Sequence, residues 1–151
     1  MLVNNIFNSQ ASGTNGGTFT SGAWQTRVLN TITGNGPASL GTNNFTLPAG
    51  TYIINAMAPA LQVGSHQIRL RNTGAGTTVK AGMPSFSNTA AAGSQTMSVL
   101  NFYAVLVANT TFEIQHQCQT TKALIGFGQA SVWAVQPENE IYTEVQVFKI
   151  I

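Results

Sequence analysis

Apolar side chains recur at every second position in short runs along this chain, and glycine, proline and asparagine separate the runs. That is the pattern of half-buried β-strands. In residues 23–32, Trp24, Thr26, Val28, Asn30 and Ile32 share one face, with Gln25, Arg27 and Leu29 on the other. The run ends at GNGP, residues 34–37, where glycine permits positive φ and proline cannot donate to a ladder. A tight reversal is expected at Pro48-Ala49-Gly50 between residues 45–47 and 51–57.

Further strands are predicted over residues 66–72, 77–81, 96–108 and 111–118. In the last of these Phe112, Ile114, His116 and Cys118 oppose Glu113, Gln115 and Gln117. Residues 125–135 read as a strand interrupted by Gly126 and Gly128, and residues 141–151 as a final strand. There Ile141, Thr143, Val145 and Val147 alternate with Tyr142, Glu144, Gln146 and Phe148. No capped stripe of helical period is present. The count is eight to ten strands at the spacing of an all-β sandwich.

The N-terminal 21 residues read differently. Met1, Leu2, Val3, Ile6 and Phe7 make an apolar tip, followed by a lead rich in Gly, Ser, Thr and Asn. The tip is either an edge strand of the domain or a plug docked on a partner. Residues 1–21 are set apart as an extended arm and candidate docking segment, whose docking contacts would be Leu2, Val3, Ile6 and Phe7, and residues 22–151 as one domain.

Composition narrows the functional classes. Only 7% of residues are charged, Asp is absent and Thr alone supplies nineteen positions. A surface so poor in charge gains little solubility from repulsion and suits a fixed assembly. The net charge of +2 has no basic stripe behind it, so nucleic acid is not an expected ligand. A single cysteine, Cys118, rules out an intrachain disulfide framework. The start resembles no signal peptide and no run of about 18 apolar residues occurs, so neither secretion nor a membrane span is expected.

Candidate chemistry is sparse. His66 and His116 each share a strand face with apolar residues. A ring of histidines about a symmetry axis could bind metal, but buried histidines hydrogen-bonded to a neighbouring strand or subunit are the simpler reading. His116 and Cys118 lie about 7 Å apart on one strand, too far for a nucleophile–base hydrogen bond, so Cys118 reads as a small core residue. The four carboxylates (Glu113, Glu138, Glu140 and Glu144) are explained by salt bridges or solvated edges without glycosidase chemistry. No catalytic residue, metal or cofactor is expected. The aromatics Tyr52, Phe102, Tyr103, Phe127, Trp133, Tyr142 and Phe148 sit on predicted strands, where they serve a core or a subunit interface.

Residues 45–52 (FTLPAGTY) resemble the strand–turn–strand signature of the complement and tumour-necrosis-factor jelly-roll superfamily. Segments 16–27 (GGTFTSGAWQTR), 47–52 (LPAGTY), 66–70 (HQIRL), 112–121 (FEIQHQCQTT), 126–128 (GFG) and 140–144 (EIYTE) resemble, in order and spacing, small phage proteins labelled tail-fibre or virion-structural. The resemblance implies a ten-strand jelly roll that forms a homotrimer and binds without chemistry. Tyr52, His66, Tyr103, His116, Phe127, Tyr142 and Phe148 are then its trimer-interface or core residues. It further implies a protein made in the host cytoplasm and carried on the virion surface. There it would decorate a bacteriophage capsid, with the major capsid protein as its partner, because no stalk is present. The alternative is a receptor-binding tail-fibre tip that recognises host surface glycan or protein through residues 34–43 and 85–94.

Overall fold

The computed structural model describes residues 1–131 and 137–150, and every described element is a strand or a turn. The elements are β1 (Leu2–Gln10), β2 (Gln25–Thr26), β3 (Thr31–Gly34), β4 (Ser39–Leu40), β5 (Phe45–Leu47) and β6 (Gly50–Leu61). They continue with β7 (Gly64–Asn72), β8 (Thr77–Ala81), β9 (Ser85–Ser87), β10 (Gln95–Leu106), β11 (Thr110–Cys118) and β12 (Glu140–Lys149). One sheet has the order β10-β6-β12-β1-β3 and the other β4-β5-β11-β7-β8, with β2 added to β11 and β9 to β7. All pairings are antiparallel. This is the jelly-roll sandwich, with twelve strands among the described residues because short edge pieces accompany the long ones.

The core lies between the sheets. Ile6, Tyr52, Ile54, Leu100, Val145 and Val147 come from the first sheet, and Phe45, Leu47, Ile68, Leu70, Phe112 and Ile114 from the second. Burying such side chains contributes roughly 1.5–3 kcal/mol each. Tyr52 satisfies its hydroxyl by donating to Pro48 O at 3.0 Å, which ties the β5–β6 reversal to the core.

Three expectations are corrected. Residues 23–32 do not form one strand: β2 pairs with β11 in the second sheet, whereas β3 pairs with β1 in the first. The chain crosses between sheets at residues 27–30, and Arg27 and Leu29 point into the space it crosses, both buried. Residues 125–127 are turn and 128–130 irregular instead of a strand, because Gly126 and Gly128 serve close packing; a Cβ on Gly126 would stand 2.6 Å from Phe19 Cβ. The remainder of that predicted strand, with Trp133, lies outside the described residues. The strict alternation of β12 also fails, since a bulge opposite residues 7–9 buries both Tyr142 and Thr143.

A further correction concerns the division at residue 21. β1 is an inner strand, hydrogen-bonded to β12 on one side and β3 on the other. The glycine-rich lead after it is likewise tied down. Gly16 N donates to Gly128 O at 2.9 Å, Gly17 N to Leu124 O at 3.0 Å, and Phe19 and Lys122 exchange backbone bonds at 3.0 and 2.9 Å. Lead and 119–128 segment together close one end of the sandwich over Phe19, Ala60, Val63 and Cys118.

Candidate functional site

Beneath that closed end lies a polar relay. Arg27 is 2% exposed, and its guanidinium spends its donors on neutral acceptors. Nε donates to Thr143 Oγ1 at 2.8 Å, one Nη to Pro59 O at 3.1 Å, and the other to Phe127 O at 3.1 Å and Tyr142 O at 3.3 Å. The Phe127 ring lies 4.1 Å from its central carbon and stacks in turn on Phe19. A planar fork matches several fixed carbonyls at once, which an ammonium does not. Burial pulls the guanidinium down to about 9, which leaves it charged at neutral pH.

Arg27 also faces Nδ1 of His116 at 3.3 Å; Nε2 of His116 lies 2.9 Å from Nδ1 of His66, whose Nε2 lies 2.8 Å from Thr96 Oγ1. Register places the histidines in this contact: His66 on β7 opposes Cys118 on β11, one step from His116. Burial, then the Arg27 charge, lowers His66 to about 4. Burial, Arg27 and His66, in that order, hold His116 well below the ordinary imidazole value. Both rings are thus neutral structural links. Burial pushes the Cys118 thiol up to about 11, the opposite of nucleophile activation. Among the described residues no three His, Cys, Asp or Glu side chains converge as a metal site would need.

The structure separates the sequence-nominated residues into distinct groups. Tyr52, His66, His116 and Tyr142 are internal, and the Tyr142 hydroxyl donates to Thr14 O at 2.6 Å. Phe127 is half-buried over Arg27. Ile6 is fully enclosed in the core and is not available for docking, which corrects that assignment, whereas Leu2 is exposed and Val3 and Phe7 are half-buried.

Tyr103 and Phe148 lie on the outer face of the first sheet. Register sets Tyr103 beside Ile53, Ile53 beside Phe148, and Phe148 beside Val3, an apolar row across four strands. The next row is Asn101, Asn55, Gln146, Asn5 and Thr33, and the third Val99, Met57, Glu144, Phe7 and Thr31. Tyr103 is 62% exposed and Ile53 39%, and Glu144 is the one charge in the three rows.

Arg27, Phe19 and Thr96 escaped the sequence reading. The available signal was that Arg27 alternates with Leu29: a cation on the same side as a core leucine must be buried or must snorkel out.

Neither the protein-family models nor the curated proteins contain a match by sequence. Solved structures do match. The globular domain of zebrafish complement 1qA aligns with a TM-score of 0.60 at 14% identity, covering 100% of this chain and 98% of that one. Eiger TNF from S. frugiperda aligns at 0.58 and 12%, covering 99% and 92%, and murine APRIL at 0.57 and 10%, covering 99% and 98%. At these identities the likeness is one of fold, and that fold is the jelly roll of the complement C1q and tumour-necrosis-factor domains.

Proposed function

We propose that the chain is a non-enzymatic module that works as a homotrimer and serves as a structural unit on a virus particle. The observation that carries the self-assembly is the row Tyr103–Ile53–Phe148–Val3 on the outer face of the first sheet. A free monomer rarely leaves such a contiguous apolar band open to water. The band is nearly chargeless, as is the chain, so a second copy matches it without desolvating ions. Cyclic threefold packing is head-to-tail and needs a second, different patch. The open edge at the end of β10 supplies one: Val107 is 94% exposed beside a cleft of about 270 Å³ lined by Val79, Phe102, Leu106 and Phe112.

The virion setting and the major capsid protein as partner rest on the resemblance of the sequence segments to phage proteins. Met1 and Leu2, exposed at the end of β1, are the part of the N-terminal tip open to such a partner. Native mass spectrometry tests the assembly: three times the 15.9 kDa chain mass is expected, and Ile53→Glu should give a folded monomer. A wild-type monomer at about 100 μM would overturn the trimer, since stable homo-oligomers persist at such concentrations. Immunogold labelling of particles tests the setting, with many copies over the head expected; label confined to the tail would favour the fibre-tip alternative.

A further inference from the structure

The outer face of the second sheet, remote from the apolar row, carries a groove of about 300 Å³ between Trp24 and Pro84. Its floor is made of amides. Gln117 on β11 opposes Gln67 on β7, and Gln119 follows beside Ser65, with which it exchanges bonds at 2.8 and 3.1 Å. Trp24 directly precedes β2, the strand that pairs with β11, so its ring stands next to this ladder. The ring is held on one face: the Arg69 guanidinium lies 4.1 Å from its centroid. Arg69 donates to Gln115 Oε1, and Gln115 Nε2 donates to Glu113 Oε1 at 2.6 Å.

The floor amides are oriented but not saturated. Gln67 Nε2 donates to Gly82 O at 2.7 Å, which leaves its carbonyl oxygen as an acceptor. Gln119 Oε1 accepts from Ser65 N, which leaves its amide nitrogen as a donor. Gln117 is exposed and its side-chain amide has no hydrogen bond among the described residues, so it offers both. The lining contains no Lys, Arg, Asp or Glu. His66 reaches it, but in neutral form.

From this geometry we propose that the groove binds a neutral saccharide, with Trp24 as the platform for the C–H face of the sugar and the Gln67–Gln117–Gln119 ladder as the hydroxyl-binding floor. Paired donors and acceptors at fixed spacing suit adjacent hydroxyls, and an indole wall suits the apolar face of a pyranose. The volume sits at the lower end for ligand pockets and fits one or two sugar residues. An anionic sugar would find no cation in the lining. An extended peptide would find only a short open edge, since β2 covers β11 up to His116 and β9 covers β7 up to His66. The inference does not depend on the trimer or on the virion setting.

Saturation-transfer NMR on the full chain tests it, with uncharged hexose and N-acetylhexosamine mono- and disaccharides, sialylated and sulfated counterparts, and a neutral tetrapeptide. Transfer from at least one neutral sugar is expected, with affinity lowered at least ~10-fold by Trp24→Ala and by Gln117→Ala. Trp24→Phe should retain part of the binding, and Tyr103→Ala, on the other sheet, all of it. Gln117→Ala removes an exposed, unbonded side chain and keeps the test decisive should Trp24→Ala fail to fold. Absence of transfer from every neutral sugar, transfer from the anionic sugars or the peptide alone, or neutral-sugar binding unchanged in the Gln117 variant would each overturn the proposal.

Discussion

Arg27 decides which nitrogen of His116 carries the proton. A guanidinium has donors only, so Nδ1 of His116, 3.3 Å away, must accept. Nε2 of His116 then bears hydrogen and donates to Nδ1 of His66 at 2.9 Å, and Nε2 of His66 donates to Thr96 Oγ1 at 2.8 Å. The relay has one direction. Long-range proton–nitrogen NMR is expected to show both rings neutral with hydrogen on Nε2. A ring protonated on Nδ1 would contradict the assigned direction.

The same relay makes stability fall in acid. Both imidazoles are depressed in the fold, His66 to about 4 and His116 well below its ordinary value, whereas in the unfolded chain they titrate near 6.5. The unfolded chain therefore binds more protons over that interval, and the stability contribution, complete above about pH 6.5, is lost as pH falls toward about 4. Melting temperatures measured from pH 7.5 to 4 should decline over this window. The double variant His66→Gln, His116→Gln should start lower and show a flatter profile. An equally steep decline in that variant would assign the acid sensitivity to other groups.

Removing Arg27 should be among the costliest single changes. Arg27→Met leaves the carbonyls of Pro59, Phe127 and Tyr142, the Thr143 hydroxyl and Nδ1 of His116 without their donor in a buried site. Each stranded acceptor costs about 1–3 kcal/mol, partly offset because a buried cation is no longer desolvated. A net loss of about 3 kcal/mol or more is expected from urea unfolding at fixed protein concentration. Arg27→Lys should recover only a fraction, since one ammonium cannot reach four sides of the cavity.

The sequence was most legible where alternation ran long. The long strands β7, β10 and β11 lie within two residues of their predicted limits, and Cys118 is a buried residue as its neighbours implied. Alternation says which side a residue takes but not which sheet. Residues 23–32 kept a strand-like period while leaving one sheet for the other, because the interior lies between both. Nor does it separate an aromatic facing the core from one facing out. Tyr52 and Tyr103 both sit on strands, yet one is enclosed and the other is 62% exposed. The N-terminal arm misled for a related reason: its pattern allows either an edge strand or a plug, and its place between β12 and β3 is a long-range pairing that no local pattern reports.

Gly128 ties the closed end to β12. Its φ is +135°, and a Cβ there would stand 2.6 Å from Cε1 of the buried Tyr142 ring. Gly128→Ala therefore combines backbone strain with a clash against a ring whose hydroxyl is anchored on Thr14 O. A loss of about 2–4 kcal/mol is expected, together with faster hydrogen exchange at Gly16, whose N–H bonds Gly128 O. Unchanged exchange at Gly16 would show that the two segments are not coupled.

The apolar row predicts a stability that depends on protein concentration. If the outer face of the first sheet is covered by a second copy, folding and association are linked, and the melting temperature rises with concentration by mass action. Ile53 sits at the middle of the row, in register with both Tyr103 and Phe148, so Ile53→Glu places a carboxylate where the partner would have to desolvate it. That variant should melt at a temperature independent of concentration. Its strand content should stay intact, because Ile53 is 39% exposed and contributes little to the core of its own chain. Asn101→Glu makes the useful contrast one row away. Equal loss of association in both variants would spread the contact over the whole face, whereas a loss confined to Ile53→Glu would locate its energetic centre on the Tyr103–Ile53–Phe148–Val3 row.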